Sequence, residues 1–137
     1  MKLKAITRAA FVATGVAVAG LSLAIPASAT TGATASDCAG PVCSYTLKIN
    51  GTYWQYEAQV NNNQTGTGVT SWIWVYTNAG AAHADYYLNG DSTMHTLTSP
   101  VDGSTSKNLP KDVTAFRVCG DNGIGGDACS PWAHPTY

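Results

Sequence analysis

Glutamate occurs once in this 137-residue chain, as Glu57. A glycosidase site built on two glutamates is therefore excluded. The patterns G-x-S-x-G and H-E-x-x-H are also absent, so neither a nucleophile elbow nor a zinc-protease helix is encoded. Basic residues are nearly as scarce. Past residue 29 only Lys48, Lys107, Lys111 and Arg117 stand against eight acidic residues, a net charge of −4. That balance gives no electrostatic hold on phosphate backbones and no polybasic patch for anionic lipid. Nucleic-acid and membrane partners are not expected. No stretch carries the 3.6-residue apolar period of an amphipathic helix.

Long apolar runs are missing as well, with one exception. "MKLKAITRAAFVATGVAVAGLSLAIPASAT" begins with Lys2, Lys4 and Arg8, continues with an apolar run from Ala9 to Ile25, and closes on Pro26 and Ala27-Ser28-Ala29. Basic, apolar and A-x-A segments in that order predict a secretory signal peptide over residues 1–29. The run is too rich in Ala and Gly, and too short of roughly 20 strongly apolar residues, for a membrane anchor. Cleavage after Ala29 leaves 108 residues, Thr30 to Tyr137. The tail 30–37, "TTGATASD", has nothing large to bury and is expected to be mobile. Residues 38–137 then form one domain, exported and extracellular.

A domain of this size buries a modest fraction of its surface, while ordering it costs on the order of 100–200 kcal/mol. Small exported domains offset part of that cost with disulfides. Cys38, Cys43, Cys119 and Cys129 all lie in the mature chain, and four cysteines allow three pairings. Spacing favours the local ones. Cys38 and Cys43 enclose the turn "AGPV", and Cys119 and Cys129 enclose nine residues, the length of two strand ends and a turn. Closing the second loop contributes roughly 3 kcal/mol in the loop-entropy model. A structural zinc site is the alternative, but neither pair has finger spacing and His134 lacks a partner histidine. No metal and no cofactor are expected.

What the chain does have is alternation. In "CSYTLKI" Tyr45, Leu47 and Ile49 share one face, and Asn50-Gly51 follows as a hairpin signal. "TYWQYEAQV" puts Trp54, Tyr56, Ala58 and Val60 on one side. "VTSWIWVY", "AAHADYYL", "STMHTLT", "VTAFRVC" and "ACSPW" complete a set of about seven strands, separated by turn residues. The fold class predicted is all-β: a small antiparallel β-sandwich, immunoglobulin-like, stapled by two disulfides, with a small closed barrel as the runner-up. The polar stretch from Ser99 to Asp112 is too long for a hairpin and suits a crossover between sheets.

Three places invite chemistry. The loop "GDNGIGGD" offers Asp121, Asn122 and Asp127 as oxygen ligands for calcium. Its spacing is not that of an EF-hand, and Asp, Asn and Gly are also the ordinary turn formers. A stapled hairpin is therefore expected, with Cys119 outward and Trp132 turned back to the core. His83 and Asp85 lie two apart on one strand, hence on one face, and could form a dyad with a serine. A polar strand face is the simpler account, for these and for His95. The protein is not expected to be an enzyme. Most informative is "SWIWVYT", where Val69, Ser71, Ile73 and Val75 share one face and Trp72, Trp74 and Tyr76 the other. Burying the aliphatic set leaves an aromatic binding stripe. Burying the aromatic set, or covering both faces, leaves none. Tyr53, Tyr86 and Tyr87 are candidate extensions.

The segment "LPKDVTAFRVCGDNGIGGDACSPW", a strand ending V-x-x-F-R-V-C, a Gly/Asp loop and then C-S-x-W, resembles small secreted bacterial proteins with two local disulfides. Among these it is similar to the adaptor subunits of umbrella toxin particles. The resemblance implies an adaptor joining a lectin subunit to a toxin stalk, with a mobile N-terminal segment that docks into the lectin-bearing subunit. The function expected is thus a secreted non-catalytic protein-interaction module with another secreted protein as partner. A carbohydrate-binding module stacking sugars on Trp72, Trp74 and Tyr76 is the alternative, followed by a hydrolase inhibitor. The inhibitor reading lacks the Trp-Arg-Tyr triplet of small amylase-inhibitor sandwiches.

Overall fold

The computed structural model describes residues 31–136 except 37, 39, 50, 51 and 124, and for 31–36 the backbone alone. The segment 1–29 expected as a signal peptide lies outside the described residues. Nine strands follow one another: β1 (Thr31–Ser36), β2 (Val42–Ile49), β3 (Gln55–Asn61), β4 (Ser71–Thr77), β5 (Ala82–Leu88), β6 (His95–Ser99), β7 (Ser104–Leu109), β8 (Val113–Asp121) and β9 (Asp127–Cys129). They form a five-stranded sheet in the order β1-β2-β3-β4-β7 and a four-stranded sheet in the order β6-β5-β8-β9. Every strand pair is antiparallel. The two sheets close on a shared core, as the alternating pattern predicts for a sandwich.

Inward-facing residues come from both sheets. Leu47, Ile49, Tyr56, Ala58, Val60, Ile73 and Val75 meet Ala82, Ala84, Tyr86, Phe116 and Val118 in one cluster. Tyr45 meets Phe116 edge to face, with ring centroids 6.3 Å apart. Tyr56 ties the sheets together. Its ring is fully buried, and its hydroxyl donates to the Asp121 carbonyl at 2.8 Å. Burial, with Asp121 and Asp127 nearby, raises its pKa above the ordinary tyrosine value. The ring lies over Gly120, where a Cβ would stand 2.5 Å from it. Only glycine permits that approach.

Both predicted disulfides are formed, Cys38–Cys43 and Cys119–Cys129. Cys119 and Cys129 are direct cross-strand partners on β8 and β9, with a Cα separation of 4.0 Å. The loop between them is a hairpin whose own groups satisfy one another. Asp121 Oδ1 accepts the Gly123 N–H at 2.7 Å, and the Asn122 N–H donates to the Gly126 carbonyl at 3.0 Å. Gly123, Gly125 and Gly126 adopt positive φ, which explains their number here.

Three expectations need correction. The tail 30–37, expected to be mobile, contributes β1, paired with β2 from Thr31↔Ile49 to Ser36↔Ser44. Backbone hydrogen bonds to an open sheet edge need no large side chain, so composition misleads there. Among the described residues the strands number nine rather than about seven, because β7, like β1, is added, and it lies inside the polar stretch 99–112. That stretch is a crossover nonetheless. It carries the chain from β6 in one sheet to β7 in the other, beside β4. Finally, Trp132 does not turn to the core. Ala133 bridges Phe116 and takes the buried place, which leaves Trp132 on the outer face. "ACSPW" was read as one continuous strand, but β9 ends at Cys129 and Pro131 follows, so period-two counting fails across it.

Candidate functional site

Strand β4 decides the five-stranded sheet. Ser71, Ile73, Val75 and Thr77 are buried completely, while Trp72, Trp74 and Tyr76 are half-buried on the outer surface. The β-branched set is the one that interlocks with the opposite sheet, so the aromatic row faces away from the core. At about 3.3 Å per residue, three side chains at alternate positions span about 13 Å. The Trp74 and Tyr76 rings lie 5.8 Å apart, with planes within 5° of parallel, a pairing that holds both rings in place.

The row has polar walls. Cross-strand partners on β3 are Asn61 for Trp72, Gln59 for Trp74 and Glu57 for Tyr76. On β7 they are Asn108, Ser106 and Ser104 in the same order. Among the described residues the side chains of Gln59, Ser106 and Asn108 are in no hydrogen bond. The charged groups of this face, Glu57 and Lys48, stand beside or beyond Tyr76, so Trp72 and Trp74 have only uncharged cross-strand neighbours. The surface is aromatic along its middle and amide or hydroxyl at its sides.

Two of the three candidate extensions, Tyr86 and Tyr87, lie elsewhere. Tyr86 is buried and stacks on His95, with centroids 5.3 Å apart. Tyr87 lies on the outer face of the other sheet, against Trp132. Tyr53, 79% exposed, stands on the β2–β3 connection, where its carbonyl accepts the Asn78 side chain at 3.0 Å. The flanking residues went unnoticed in the sequence for two reasons. Gln59 is visible as the outward position of β3, but nothing distinguishes it there. Ser106 and Asn108 sit in a segment without apolar alternation, which carries no signal of a strand.

The outer face of the four-stranded sheet centres on Asp85, which is only 3% exposed. Its Oδ2 accepts Arg117 Nε at 3.0 Å and Nη2 at 2.8 Å. Its Oδ1 accepts the Thr96 hydroxyl at 2.9 Å. The guanidinium in turn lies over the Trp132 ring, 4.8 Å from the centroid, a cation–π arrangement. His83 and Asp85 do share this face, with Nε2 3.7 Å from Oδ1. However, the carboxylate is committed to Arg117 and Thr96, and the His83 ring meets no serine hydroxyl among the described residues. This is the geometry of a buried ion pair rather than of a nucleophile and its base.

His83, Asp85 and Cys119 also bring three potential metal donors within 4.8 Å of one another. The donor set does not fit a metal. The Cys119 sulfur is in the disulfide with Cys129, so it supplies no thiolate, and Asp85 is already neutralised by Arg117. The third histidine of interest, His95, bonds through Nε2 to Asp91 Oδ2 at 3.0 Å. The Thr93 backbone N–H, then His95, hold the Asp91 carboxyl at about 2. That pair closes the β5–β6 turn. Asp121, Asn122 and Asp127 make the stapled hairpin described above.

The described residues enclose no pocket, and none of their helices is long and apolar enough to cross a membrane. Compared with protein-family models, curated proteins and solved structures, the chain matches none.

Proposed function

We propose that the protein is an exported, non-catalytic binding module whose working surface is the outer face of the five-stranded sheet. The observation that carries this reading is the division of β4, with its aliphatic residues in the core and Trp72, Trp74 and Tyr76 on the surface. Large aromatics are costly to leave at a water-facing surface and dominate binding energy where they occur. Export is supported by the predicted leader and by two disulfides of the kind that persist in oxidising compartments. A binding role without catalysis is supported by the commitment of Asp85 to Arg117 and Thr96. In its finer form the module is an adaptor holding a second exported protein, for which the resemblance of the Val113–Trp132 region to umbrella-particle adaptors is the support.

The test is recovery from native culture supernatant of the mature, oxidised protein and of a Trp72→Ala/Trp74→Ala variant. The expected result is a partner, protein or glycan, that accompanies the first in near-stoichiometric amount and is lost from the second at unchanged melting temperature. Equal recovery with both proteins, or with neither, refutes the reading. A lectin or a long stalk polypeptide as that partner establishes the adaptor form.

A further inference from the structure

Accepting the aromatic face as the working surface, we propose that its ligand is a neutral glycan chain laid along β4. Three features of the face select that chemistry. First, its apolar part is a single row, one strand wide and about 13 Å long. Of the large exposed aliphatic side chains, Met94 and Val101 belong to no strand of this sheet, and Val42 stands at the first position of β2, separated from Trp72 by Asn61, so the row does not widen into the broad apolar centre of a protein interface. Second, beside Trp72 and Trp74 both sides of the row carry amides and hydroxyls rather than charges. Gln59 and Ser106 flank Trp74, while Asn61 and Asn108 flank Trp72. Third, the groups on Gln59, Ser106 and Asn108 are uncommitted among the described residues. They neither brace the rings nor hold neighbouring strands.

A pyranose ring has the matching anatomy. Its C–H faces pack on an aromatic ring, and its hydroxyls project sideways, where amide and hydroxyl groups can both donate and accept. Among the described residues no basic group is a cross-strand partner of Trp72 or Trp74, and Lys107, between Ser106 and Asn108, pairs with Ile73 and so alternates to the other face, which disfavours uronic or sulfated glycans, whose recognition calls for Arg or Lys. Glu57 beside Tyr76 adds repulsion against such chains at the other end of the row.

The experiment titrates the full mature protein with hexasaccharides of cellulose, xylan, mannan and chitin, and with oligogalacturonate and heparin fragments as acidic probes. Tryptophan fluorescence and calorimetry are read together. Saturable binding to at least one neutral probe is expected. It should weaken about tenfold in Trp74→Ala and about fivefold in Asn108→Ala, which removes a flanking group and no chromophore. Trp132→Phe, on the opposite face, should leave the affinity unchanged. Asn108→Ala also guards against misfolding, since it lies exposed on an edge strand. Preference for the acidic probes overturns the inference. So does binding that Trp74→Ala leaves intact. If no glycan binds but the supernatant partner is still lost in Trp72→Ala/Trp74→Ala, the ligand is a protein and only this inference falls. If that partner is absent too, the module reading falls with it.

Discussion

The two outer faces of the sandwich carry similar residue types and use them in opposite ways. On the four-stranded sheet, Asp85 is bonded to both Arg117 and Thr96, and Arg117 and Tyr87 both pack against the Trp132 ring. On the five-stranded sheet, Trp72, Trp74 and Tyr76 stand in a row whose flanking amides and hydroxyls are unspent. A tryptophan beside an arginine is an interaction already completed within the fold. A tryptophan beside a free glutamine is one that a ligand can complete.

The largest effect should come from removing both faces together. Gly120→Ala drives a methyl group into the Tyr56 ring and should cost about 3 kcal/mol by overpacking. Thermal unfolding should show a drop of more than about 10 °C for a domain of this size. A drop of a degree or two would mean that Tyr56 is not locked between the sheets.

Next is the saturated face alone. Asp85→Ala strips Arg117 and Thr96 of their acceptor and should cost about 2–3 kcal/mol, discounted because the Arg117 side chain is 30% exposed. Chemical denaturation reads this directly, and glycan or partner binding should be untouched. Trp74→Ala should do the reverse, lowering stability by less than about 1 kcal/mol while weakening binding about tenfold. A large loss of stability in Trp74→Ala would erase the distinction between the faces.

The smallest effect concerns acid. The Asp91 carboxyl is held at about 2, below its ordinary 3.8, by the Thr93 N–H and then by His95. A depressed carboxyl stabilises the fold above its unfolded value and loses that contribution as pH falls. The stability difference between wild type and Asp91→Asn should therefore be constant above about pH 4 and shrink toward pH 2. A difference that stays flat through this window would show that the β5–β6 turn does not depend on the ionised carboxyl.

Much of this architecture is written locally. Period-two alternation specifies β2, β3, β4, β5 and β8, because one buried face forces apolar residues onto alternate positions. Spacing within short loops points to both disulfides, since a hairpin brings its own ends together. The three outward aromatic residues of β4 are visible for the same reason, as one side of a strand pattern. Strands β1 and β7 are not legible, because they are made by hydrogen bonding to edges already present and need no apolar signature. The sequence by itself therefore determined an all-β domain, its two staples and a strand with two apolar faces. Only the tertiary structure decided which of those faces is wet, since that depends on what the opposite sheet supplies to pack against. It alone placed Gln59 and Asn108 on either side of the tryptophans, because cross-strand neighbours come from residues far apart in the chain.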